Sequence, residues 1–129
     1  MDFKFFVPGR IPGLNEIIQA ARDEVPGLSS RRRKVYRYTL LKDEWTQTVA
    51  DIVKANRIPR LKSIYIDFLW LEPNRRRNKD NIAAGKKFVI DGLVRAGVII
   101  NDGWSQVSDF SDDFKVHDRR GVIVTVEEV

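Results

Sequence analysis

Between Arg75 and Gly103 the chain reads RRRNKDNIAAGKKFVIDGLVRAGVIINDG. This span gathers a basic run, an Asp-Asn pair, two lysines, a further Asp and a closing Asn-Asp-Gly. Asp80, Ala84, Lys87 and Asp91 are spaced by four, three and four residues, so on one continuous helix they share a stripe. Acid, amine and acid then stand in a row beside the apolar side of the helix. Asp80 falls at the helix N-terminus, where free N–H groups and the helix dipole favour anions. Phosphodiester hydrolysis uses such a mixture. Carboxylate oxygens hold Mg²⁺, and the ion polarises the phosphate and activates water. A nearby lysine offsets the charge that grows in the transition state. Asp102 lies beyond the helix and joins the row only if residues 97–102 retrace part of its length.

A plainer account fits the same residues. Asp80 then only caps the helix, and Lys86 and Lys87 are solvated surface. Asp91 pairs with Arg95 one turn on, a contact worth a few tenths of a kcal/mol. Asp102 makes the turn before Gly103. A second basic cluster, Arg31, Arg32, Arg33, Lys34 and Arg37, interleaves with Tyr36 and Tyr38. It reads either as a solvated helix entrance or as a contact to a phosphate backbone with a ring free for stacking. His117 is the one histidine, and no neighbour at a definite spacing makes an acid–base pair with it.

The elements that must position these groups follow from periodicity. Residues 3–7 read as a strand, and Pro8-Gly9 and Pro12-Gly13 break it. Residues 14–22 predict a short helix capped by Asn15. Val35, Tyr38, Leu41, Trp45, Val49, Ile52 and Val53 mark a long amphipathic helix over residues 34–56, with Lys42 off its apolar stripe. Residues 62–72 are the clearest strand, expected to be central or covered on most of both faces. A second long helix is expected over 81–96, capped by Asp80 and stopped by Gly97. Residues 104–110 and 120–127 read as two more strands, with Asp112-Asp113 and residues 117–119 between them in or near a hairpin. The expectation is one α+β domain over residues 1–129, a mixed sheet of about four strands with two long helices packed on it.

Composition narrows the chemistry. The chain has 129 residues and no cysteine, which excludes disulfides, thiolate nucleophiles and thiolate zinc sites. That usage suits a reducing cytosol, so a cytoplasmic protein is expected. No apolar run approaches a membrane span or a signal peptide. Net charge is +5, which favours an anionic partner. Residues 1–60 hold 12 basic and 7 acidic side chains, while residues 61–129 hold 11 of each. Acids clustered inside a positive surface suit a cation site on a polyanion-binding protein. An RNA-binding module has no support, since neither an aromatic RNP-type strand nor a Gly-x-x-Gly clamp is present.

The segment from residue 72 to residue 107 resembles the RusA family of Holliday junction resolvases, small dimeric endonucleases widespread on phages and prophages. The shared pattern is a basic run (Arg75-Arg76-Arg77), an Asp-x-Asp-Asn (here Asn78-Lys79-Asp80-Asn81), and a Lys four residues before an Asp-x-Leu (Lys87, Asp91-Gly92-Leu93). Ala96-Gly97 and an Asp-rich turn, Asn101-Asp102, complete it. The resemblance implies Asp80 and Asp102 as catalytic, metal-binding carboxylates and Lys87 as the catalytic lysine. Asn78 stands where the family has its first acid, so metal affinity should fall unless Glu72 or Asp91 compensates. The implied ligand set is Asp80, Asp102, Asn78 and Asp91, holding Mg²⁺ and no nucleotide cofactor. The implied activity is paired nicking of branched, four-way DNA by a homodimer. DNA contacts would come from Arg31 to Lys34, Arg37, Arg75, Arg76, Arg77, Lys79 and Lys86. The alternative is a branched-DNA-binding protein that cuts weakly or not at all because of Asn78.

Overall fold

Ile64, Ile66, Phe68 and Trp70 alternate along the clearest predicted strand. In the computed structural model, which describes residues 1–129, all four are buried in the centre of the molecule. The elements run β1 (Asp2–Pro8), α1 (Leu14–Arg22), α2 (Arg37–Ala55), β2 (Ile64–Glu72), α3 (Lys79–Ala83), α4 (Lys86–Arg95), β3 (Val107–Val116) and β4 (Gly121–Glu128). The strands form one mixed sheet in the order β1-β4-β2-β3. β2 is parallel to β3 and antiparallel to β4, and β4 is antiparallel to β1. This is the α+β domain expected, with four helices where one short and two long ones were predicted, because the second long helix is divided.

The inward rows of β1, β2 and β4 share one core with Val49 and Val53 of α2 and Phe88, Val89 and Leu93 of α4. Burying such rows and stripes together is what stabilises a two-layer fold. The opposite face of β2 carries Tyr65, Asp67 and Leu69, which are exposed or half-buried. β2 is therefore central but not covered on both faces, because its helices lie on one side. No helix is long and apolar enough to cross a membrane.

Several boundaries differ from the periodicity. α1 starts at Leu14 with Gly13 as its N-cap, whose N–H donates to the Glu16 carboxylate. Asn15 lies inside the helix, and its N–H donates to Asn81 Oδ1 at 3.0 Å. α2 starts at Arg37 rather than residue 34, because the backbone before it is used elsewhere. Tyr36 bridges to Glu24, and Val25 N–H donates to the Val35 carbonyl at 2.8 Å. Trp104 is no strand residue; it stands 99% exposed in the turn before β3.

The second long helix is two helices. Gly85 N–H donates to the Ile82 carbonyl and Phe88 N–H to the Gly85 carbonyl, both at 3.1 Å, so the ladder tightens to i→i+3 bonds between α3 and α4. The chain before α1 crosses at that point. A Cβ on Gly85 would meet Ile11 Cγ2 at 2.7 Å. Gly97, with φ of +84°, ends α4 as expected.

Asp112 and Asp113 lie within β3, not between strands. An edge strand tolerates charge, which hid it from the alternation pattern. Nor do β3 and β4 form a hairpin, since β2 separates them. Residues 117–120 pass over the end of β2, where His117 N–H donates to the Glu72 carbonyl at 2.8 Å.

Candidate active site

The return of the chain after α4 builds the site. Val98 and Ile99 are fully buried, and the Val98 carbonyl accepts from Leu61 N–H at 2.7 Å. That anchor turns Asn101 and Asp102 back along the helix. Gly103 N–H donates to Asn101 Oδ1 at 2.8 Å and closes the turn. Lys87 Nζ then lies 3.8 Å from Asp102 Oδ2 and 3.3 Å from Asp91 Oδ1. The retracing required for Asp102 to join the row is met.

A second lysine comes from α2. Lys42 Nζ is 3.7 Å from Asp91 Oδ2. The closeness of the two helices depends on Gly92, where a Cβ would meet Val49 Cγ1 at 2.3 Å. Lys42, Thr46, Asp91, Asn101 and Asp102, with Val94 and Arg95, line one hollow of about 390 Å³. Asp91 Oδ2 and Thr46 Oγ1 are buried there without a hydrogen-bond partner. Asp91 does not pair with Arg95. That guanidinium reaches Asp43 at 3.1 Å instead, and Asp91 is held by the two lysines.

Asp80 and Asn78 occupy a different place. Asn78 is the N-cap of α3 by backbone position, without a side-chain cap bond, and Asp80 lies in the first turn. Asp80 is thus not the cap. Its Oδ1 accepts from Asn81 N–H at 2.9 Å. Both line a separate hollow of about 440 Å³ with Arg10, Asn15, Arg76 and Asn81. The tightened turn at Gly85 breaks the single stripe on which Asp80 was placed with Lys87 and Asp91. No three acidic or histidine side chains come together as a metal cluster. A magnesium ion needs only one or two protein carboxylates and completes its shell with water and phosphate oxygens. The all-oxygen set of Asp91, Asp102, Asn101 and Thr46, two of whose oxygens have no hydrogen-bond partner, fits such an ion.

The basic residues divide into free and engaged groups. Arg75, Arg76 and Lys79 are exposed beside α3, and Arg31, Arg32 and Arg33 are exposed at the end of the loop before α2. Lys34 and Arg37 are exposed but paired, with Glu24 at 3.5 Å and Asp23 at 2.8 Å. Arg77 is not a surface contact. Its side chain is 9% exposed and forks onto Glu72, with Nε–Oε1 3.0 Å and Nη2–Oε2 2.9 Å, while Nη1 donates to the Ile11 carbonyl at 3.0 Å. Lys86 is also engaged. It pairs with Asp112 and stands over the Phe110 ring, 4.0 Å from its centroid. His117 caps its own turn, with Nδ1 accepting from Arg119 N–H at 2.9 Å.

Lys42 and Thr46 were missed because their role depends on a helix crossing 40 or more residues away in sequence. Nothing local separates Lys42 from any solvated lysine. Neither a protein-family model nor a curated protein matches the chain.

Proposed function

We propose that the chain is a Mg²⁺-dependent, RusA-like endonuclease that resolves four-way DNA junctions by paired nicks. The observation that carries this reading is Lys87 standing between Asp91 and Asp102 at 3.3 and 3.8 Å. These three residues are separated by up to 15 positions, and all belong to the motif on which the resemblance rests.

Asp91 and Asp102 would hold the ion, which when bound supplies polarisation of the phosphate and a more acidic water. Lys87 opposes negative charge on the phosphate oxygens. Lys42, 3.7 Å from Asp91 Oδ2, orients that carboxylate. Asp80 and Asn78 line the separate hollow, where they would contact the strand away from the ion. Arg75, Arg76, Lys79 and the Arg31–Arg33 loop would contact phosphates and set register without reading sequence. Two symmetric nicks need two copies of the site, hence a homodimer. Activity on DNA without nucleotide cofactor fits a cytoplasmic protein.

A second reading is a branched-DNA-binding protein with little or no cutting. Neutral Asn78 and the division of the four candidate ligands between two hollows favour it. The test is a synthetic four-way junction beside a linear duplex of equal length, with Mg²⁺ and with EDTA. Wild type, Asp80→Asn, Asp102→Asn and Asn78→Asp are compared. Paired nicks in the junction alone, lost with EDTA and in Asp102→Asn, are expected. Full activity in EDTA or in Asp102→Asn sinks the nuclease reading. Tight binding without nicks in every form selects the binder.

A further inference from the structure

We propose that the hollow at the C-terminal ends of β2 and β3 is a subsite for one unstacked nucleotide, with its base on Phe114 and its phosphate between Arg75 and Lys79. The hollow measures about 400 Å³. Phe114, Ile82 and Val116 give it an apolar side, and Arg75 and Lys79 bring two cations to it, while Lys115 lies on the opposite face of β3. Glu72 is its one acid, and that charge is already matched. Arg77 forks onto it at 2.9–3.0 Å and Arg120 Nε lies 3.6 Å away. The field inside the hollow is therefore set by Arg75 and Lys79, neither of which is in an ion pair. A phosphate satisfies that field.

The ring explains why the ligand is more than a phosphate. Lys79 Nζ stands 5.6 Å from the Phe114 centroid, so an aromatic face and a mobile cation share one place. A base can take the ring while the amine moves to the phosphate. Aromatic faces of this kind hold bases of single strands, because each base has a π-face to offer. A base inside a duplex has both faces stacked and cannot use the ring. Asn78 lines both this hollow and the one containing Asp80, so a nucleotide bound here lies next to that carboxylate. The source of the nucleotide rests on the nuclease reading: it would be a base released at the branch point.

The test is carried out in EDTA, so cutting does not enter. Fluorescence anisotropy compares a fully paired four-way junction with the same junction carrying two unpaired thymidines at the branch. Wild type should bind the second about tenfold more tightly, within the range of base–aromatic stacking. Phe114→Leu keeps an apolar side chain but removes the flat face. It should lose that preference and retain its affinity for the paired junction, with Tm lowered by only a few degrees, since the half-buried ring is exchanged for another apolar side chain. Lys115→Ala, on the opposite face of β3, should keep the preference and serves as control. Equal binding of the two junctions by wild type, or an undiminished preference in Phe114→Leu, overturns the subsite. Thymidine monophosphate serves as competitor: displacement that Phe114→Leu abolishes supports the site with a free nucleotide as occupant, and a preference it cannot compete away supports the strand. A preference that persists in a protein that never cuts with Mg²⁺ removes the nuclease reading and leaves the subsite. Cutting without the preference removes only the subsite.

Discussion

Arg77→Ala should unfold the protein more than it weakens DNA binding. The guanidinium and the Glu72 carboxylate are each 9% exposed and joined through two hydrogen bonds of 3.0 and 2.9 Å. Removing one partner of a buried pair leaves the other charged and desolvated, at about 3–5 kcal/mol. Arg120 Nε at 3.6 Å still opposes the Glu72 charge, which favours the low end, about 3 kcal/mol. The bond to the Ile11 carbonyl is lost too, and with it a tie between the chain before α1 and the end of β2. For a domain of this size that loss should lower Tm by about 10 °C. Urea denaturation gives the free energy and thermal melting the Tm. Arg75→Ala and Arg76→Ala are the controls, expected to keep Tm and lose DNA affinity. A double variant, Glu72→Leu with Arg77→Met, removes both charges and should recover most of the stability. If Arg77→Ala melts like wild type and loses DNA affinity as Arg75→Ala does, Arg77 is a DNA contact and the buried-pair reasoning is wrong.

The remaining predictions concern the helix crossing, the candidate centre and the basic loop. Gly92→Ala places a Cβ 2.3 Å from Val49 Cγ1 and 2.5 Å from Val49 Cβ. Overpacking of this sort costs about 1–3 kcal/mol, and the rigid Val49 Cβ puts it near the top of that range. Better helix propensity returns about 1 kcal/mol, so urea denaturation should show a net loss of about 2 kcal/mol; an unchanged midpoint would mean the helices are not in contact there. Lys87→Met should reduce junction cutting by about a hundredfold or more while leaving Tm unchanged, since the side chain is 49% exposed; equal cutting rates in single-turnover assays would remove Lys87 from the chemistry. Replacing Arg31, Arg32 and Arg33 together by Ala should flatten the slope of log affinity against log salt by about 2–3, the release of about one counterion per lost contact. An unchanged slope in a salt titration would leave that loop off the DNA.

How much of the fold was legible in the sequence depended on how local the signal was. β2 and α2 announced themselves because their buried rows have clear periods, two for one and 3.6 for the other. The start of β3 was legible within 104–110 but its second half was not, because an edge strand carries Asp109, Asp112 and Asp113 where a central strand would be apolar. The break between α3 and α4 was hidden for a different reason. Gly85 and its neighbours keep near-helical dihedrals, so no local sign in the sequence marks how the i→i+3 turn shifts the phase of α4 against α3. Its cause, the passage of Ile11 over Gly85, lies more than 70 residues away.

The candidate site divides in the same way. Lys87 and Asp91 were readable because they are one turn apart on one helix. The place of Asp102 followed only from burial of Val98 and Ile99, which anchors the returning chain and turns the Asn-Asp-Gly onto α4. A single stripe of Asp80, Lys87 and Asp91 would have put every ligand on one rigid element. With α3 set off from α4, Asp80 belongs instead to the element that also carries Asn78 and Lys79, between two hollows. Two carboxylates on one side of the tightened turn and one on the other make a site that a strand of DNA would have to span. Substitution at Gly85 should therefore separate the two halves functionally. The Cβ of Gly85→Ala, 2.7 Å from Ile11 Cγ2, pushes the crossing chain off α3 and shifts Asp80 relative to Lys87. On the proposed function, a gel-shift assay should find junction binding through Arg75, Arg76 and Lys79 retained in Gly85→Ala and a nicking assay should find cutting lost; equal cutting by the variant would show that the two halves need not be in register.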